Sequence, residues 1–90
     1  MTTITIHKTA IPVIKSSLEL REKLLRLKLG IYNRRLREFE KIHKMPTTKF
    51  LKILKAGKLK DEAYVIEWEY LSESYQSIKE QLNQIQRIKI

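Results

Sequence analysis

Two histidines, His7 and His43, are the only side chains in this chain whose ordinary chemistry is proton transfer near neutral pH. They lie far apart in sequence, and His43 falls on an apolar helical stripe, so it reads as a packed core histidine and not as a base or ligand. There is no cysteine, which excludes disulfides, thiolate metal sites and a thiol nucleophile. The chain has no glycine-rich phosphate loop, no His-x-x-x-His pair and no paired carboxylates at a catalytic spacing. Glu67 and Glu69 flank Trp68 on different faces of a helix and do not converge on one site by spacing. The expectation is a non-enzymatic protein without metal or cofactor.

Binding chemistry is better represented. Tyr64, Trp68 and Tyr75 recur at helical steps and read first as core; the alternative is a partner-binding anchor, because Trp and Tyr concentrate in binding hot spots. Arg34, Arg35 and Arg37 are read as a basic face opposite Leu36, and Lys49, Lys52 and Lys55 as another on a short helix. Such faces are either simply solvated or contact phosphate. No base-reading motif accompanies them.

The charge balance points the same way. Of 90 residues, 19 are Lys or Arg and 10 are Asp or Glu, a formal charge of +9. Residues 1–60 carry 16 basic and 4 acidic side chains, and residues 61–90 carry 3 and 6. A basic body with a mildly acidic end suits a nucleic acid or an acidic protein surface as partner, although lysines that only keep a domain soluble would look similar. No apolar run approaches a membrane span and no signal-peptide segment is evident, so a soluble, cytoplasmic protein is expected.

The elements that would position these residues are mostly helical. Leu18, Leu25, Leu29, Tyr32, Leu36, Phe39 and His43 form one stripe by steps of seven, four and three, which suits a packed helical seam. Glu22 interrupts it, so the seam should loosen near its start. Leu24, Leu27, Ile31 and Ile42 widen the apolar surface beyond one helix contact, and something must cover it. Ser16-Ser17-Leu18-Glu19 fits a capping box, placing a continuous helix over 16–44, roughly 42 Å long, through Gly30. Residues 1–15 read as a strand, Met1 to Lys8, followed by a connector broken by Pro12; Ile4 and Ile6 point to one side. That strand needs a partner's strand edge or a twin. Met45-Pro46 stops the first helix, a short helix covers 47–57 with Gly57 in the turn after it, and Asp61 caps a last helix over 61–88. There Tyr64, Trp68, Leu71, Tyr75, Ile78, Leu82 and Ile85 step by four and three.

The fold class is therefore all-α: one 90-residue domain, a long antiparallel hairpin with a short helix at its tip and an N-terminal strand. Two seams on a chain this short suggest completion by homo-oligomerisation or by a partner.

The stretch from Leu29 to Leu71 resembles small helical proteins of archaea and cyanobacteria taken to be antitoxins of two-gene toxin–antitoxin pairs. Phe39-Glu40, Met45, Phe50-Leu51, Ala56-Gly57, Asp61-Glu62 and Glu67-Trp68 carry the resemblance. His43-Lys44 stands where Tyr-Gly is usual, and the tip helix is lysine-rich where relatives tend to be acidic. The resemblance implies a chain that binds and neutralises a cognate toxin, a ribonuclease, without catalysis of its own. The alternatives are a basic DNA- or RNA-binding protein and a structural coiled-coil oligomer.

Overall fold

The first long helix begins five residues before the capping box. The structure, a computed structural model, describes residues 7–88, and the expected strand, with Ile4 and Ile6, falls for the most part outside them. Lys8–Ala10 forms a 3-10 turn that runs directly into α1, Ile11–His43. Pro12 does not break this helix because it sits in its first turn, where a missing N–H would have had no helical acceptor. Ser16 and Ser17 are consequently interior. The Ser17 hydroxyl donates to the Val13 carbonyl one turn back (2.9 Å) instead of capping an amide.

Gly30 lies within α1 without interrupting it. The helix ends at His43 because Lys44 adopts a left-handed conformation (φ 52°, ψ 42°), with the Lys44 and Met45 N–H groups donating to the Glu40 carbonyl. Lys44 is the one non-glycine residue with positive φ among the described residues. Lys44→Gly is expected to stabilise the protein by about 0.5–1 kcal/mol, the backbone relief exceeding glycine's larger unfolded-state entropy. Urea denaturation should show a higher midpoint; an unchanged or lower one would mean that the Lys44 side chain itself supports the turn.

Pro46 then introduces α2, Thr47–Lys55, and Gly57 (φ 70°) takes the left-handed turn expected of it. The last helix, α3, spans Ala63–Arg87. Its N-cap is Glu62 in extended backbone with no side-chain cap bond, so Asp61 does not cap it.

The hairpin is antiparallel. Near the tip, Leu36 and Phe39 of α1 pack with Phe50 of α2 and with Val65, Trp68 and Leu71 of α3. Farther down the stem, Leu25 packs with Ile78 and Leu82, and Leu29 and Ile85 close against them. Tyr32 touches both clusters and makes the core continuous. Every seam residue on both long helices is buried or half-buried. The two seams therefore cover each other within one chain, and no second molecule is needed for that purpose. At the loosened start, Glu22 pairs with Arg26 one turn on and borders a small groove with Leu18, Ile85 and Ile88.

The result is a rod. Its extents are 55 × 29 × 18 Å and its radius of gyration is 18.1 Å, against about 12 Å for a compact domain of this length. No helix among the described residues is long and apolar enough to cross a membrane.

Candidate functional site

Trp68 anchors the tip and is completely buried. Phe50 stacks on it at 4.0 Å between ring centroids, Phe39 at 5.4 Å and His43 at 5.3 Å, while Tyr64 stacks on His43 at 4.4 Å. This geometry assigns His43 to an aromatic stack, as its place on the seam implied. It also removes Trp68 from any surface: the partner-anchor reading fails for Trp68, and Tyr64 and Tyr75 are half-buried against the same core. The reason is α2, which folds back over the tip and inserts Phe50.

A polar chain ties α2 down. The Trp68 indole N–H donates to the Thr47 hydroxyl (3.0 Å), and that hydroxyl donates to Glu40 Oε2 (2.9 Å). The Thr47 backbone N–H also donates to Glu40 Oε2 (2.7 Å), and Arg37 pairs with Oε1 of the same carboxylate. One glutamate on α1 thus satisfies the first amide of α2 and, through Thr47, reaches α3. Burial, the largest influence on the Glu40 carboxyl, pushes its pKa up; the two Thr47 hydrogen bonds and the Arg37 charge outweigh it and hold the group below the usual carboxylate range. The arrangement holds three helices together, and a cavity of about 270 Å³ opens beside Arg37, Glu40 and Thr47.

The three arginines do not form one face. Arg35 spans the hairpin to Glu67 (3.1 Å), also pairs with Glu38 (2.9 Å) and lies over the Phe39 ring at 4.6 Å. Arg37 is engaged by Glu40. Arg34 alone is exposed without a carboxylate partner among the described residues. Successive helical residues are about 100° apart, so Arg34 and Arg37, three residues apart, share one side while Arg35 turns toward α3. All three side chains stay largely in water, and the difference from the simple solvated face is that Arg35 and Arg37 are paired with carboxylates. Lys49, Lys52 and Lys55 are exposed along α2 as expected, and Lys41, Lys44, Lys58 and Lys60 add to a basic tip.

Two of the open surfaces stand out. An open groove of about 630 Å³ runs between Leu51 and Leu54 of α2 and the outer side of α3, bordered by Lys55, Glu69, Glu73 and Glu80. The other is larger in consequence. On α1, Leu20, Leu24, Leu27 and Ile31 are 46% to 64% exposed and follow one another by steps of four, three and four. Val13 and Ile42 extend the same side at either end. This second stripe lies roughly 130° around the helix from the buried seam. The sequence had marked Leu24, Leu27, Ile31 and Ile42 as surplus apolar surface; Leu20 and Val13 belong with them, and the four-three step between leucines is the signal that reveals it. Among the described residues no group of three or more acidic, histidine or cysteine side chains could hold a metal ion.

Compared with protein-family models, with curated proteins and with solved structures, the chain matches none, so the likeness to antitoxins stands on the residues quoted for it alone.

Proposed function

We propose that this chain is a non-enzymatic interaction module of the antitoxin type, which binds a cognate toxin, a ribonuclease, in the cytoplasm and holds it inactive. The observation that carries this reading is the uncovered Leu20–Ile31 stripe. A helix already satisfied by its own hairpin partner keeps a second apolar face in water, where contiguous exposed apolar surface marks interaction sites. The aromatic tip supports a scaffolding role, since its polar atoms are spent on one another. Purification of the chain from its native operon, followed by mass measurement of the intact complex, tests the reading. The expected result is a second, neighbouring gene product in fixed stoichiometry whose toxicity is relieved on co-expression. A chain that purifies alone and leaves its neighbour's effect on growth unchanged would overturn it.

A second reading, nucleic-acid binding, is favoured by the exposed lysines at the tip. It loses Arg35 and Arg37, which are held by carboxylates. A steep fall of RNA or DNA affinity with salt would support it. A coiled-coil homo-oligomer is the third, and it would use the same α1 stripe.

A further inference from the structure

The α1 stripe discriminates among occupants by its borders. Lys28 lines one side of Leu20, Leu24, Leu27 and Ile31, with Arg21 on the same edge but turned to donate to Gln81 of α3 (3.1 Å), and Lys23 and Arg34 line the other. All four cations are exposed, and none pairs with a carboxylate among the described residues. Of the acids of this stretch, Glu22 lies opposite the stripe, and Glu19, one turn before Lys23, borders the same groove as Glu22 with Leu18, Ile85 and Ile88. The stripe is thus a narrow apolar seam with cations on both edges.

We propose that this seam docks an acidic amphipathic helix of a partner protein. The inference rests on the reading of the chain as a partner-binding module and names the element of the partner that it would grip. Four-three spacing is that of the residues a helix presents to one other helix, and the edge positions of such a pair select partners by charge. Glutamates or aspartates beside the partner's own apolar stripe would meet Lys23, Lys28 and Arg34, with Arg21 nearby on the Lys28 edge. A second copy of this chain would bring cations against cations whether the helices ran parallel or antiparallel, because both edges are basic. A lipid surface is matched less well, since helices that lie in a membrane interface bury a broad apolar face, and α1 has most of the remainder of its surface docked on α3 or charged. Nucleic acid would use the cations and leave the leucines in water. The seam from Leu20 to Ile31 is about 16 Å long, so the partner helix needs about three turns.

The test uses the full chain and two synthetic helical peptides with the same leucine seam, one flanked by glutamates and one by lysines. Fluorescence anisotropy of the labelled peptides should show the glutamate peptide binding at least about tenfold more tightly than the lysine peptide. Leu24→Ser/Leu27→Ser should abolish that binding while circular dichroism stays unchanged, because both residues are exposed. Arg21→Glu/Lys23→Glu/Lys28→Glu should reverse the peptide preference. Equal binding of both peptides, binding of neither, or binding to phosphatidylserine vesicles in their place would overturn the proposal, as would a homodimer that the serine variant dissolves. Failure here is separable from failure of the antitoxin reading: a toxin that co-purifies undiminished with the serine variant keeps that reading and removes this site.

Discussion

Trp68→Ala should lower the stability of the folded chain by about 3–5 kcal/mol, a large share of what a small domain possesses. The indole is completely buried, and removal of its two rings strips Phe39, His43 and Phe50 of their stacking surface at once. It also takes away the donor to the Thr47 hydroxyl. Because Phe50 is the buried anchor of α2, the short helix should loosen before the stem does. Trp68→Phe serves as the control: it keeps an aromatic ring against Phe50, loses the N–H and some volume, and should cost less than the alanine variant. Urea unfolding followed by circular dichroism measures both. Equal midpoints for Trp68→Ala and the parent would contradict the packing described here.

The second large effect is expected at Glu40. Glu40→Gln should cost about 1.5–3 kcal/mol at neutral pH, because the carboxylate accepts two hydrogen bonds from Thr47 and pairs with Arg37. Its pKa is lower folded than unfolded, so the unfolded chain binds the proton more readily. That contribution is complete above about pH 4.3, the unfolded value, and is lost as pH falls through the lower folded value. Thermal melts of the parent between neutral and strongly acidic pH should therefore show an acid limb that Glu40→Gln reduces. If the two proteins lose stability in parallel down the whole range, Glu40 does not supply it.

The seams were legible because a helix buried along one side repeats its apolar residues by threes and fours, and Leu25, Leu36, Phe39, Trp68, Ile78 and Leu82 obey that rule. Helix starts were less legible. Pro12 looks like a breaker in sequence, yet the first turn of a helix is where proline fits, and Ser16 resembles a cap that the earlier start makes unnecessary. The Glu40–Thr47–Trp68 chain was invisible for a different reason. Glu40 sits among Arg37, Glu38 and Lys41 and reads as ordinary helix surface until the turn at Lys44 brings Thr47 back to it. Periodicity also picked the right one of two apolar stripes on α1, but could not show that the other would stay uncovered. The α3 seam covers Leu25 and Leu36 and is too narrow to reach Leu24 and Leu27.

The rod shape has an electrostatic consequence. From Leu24, mid-seam, to His43, at the end of α1, the helix axis runs about 28 Å. At physiological ionic strength exposed charges are screened over about 8 Å, so the cations around Leu24 and the lysines at the end of α1, Lys41 and Lys44, act as separate fields. An acidic helix seated on the stem would neutralise its own border and leave the potential at the far end almost as it was. Occupancy of the stem would then carry almost no charge penalty for a second anion at the end of α1.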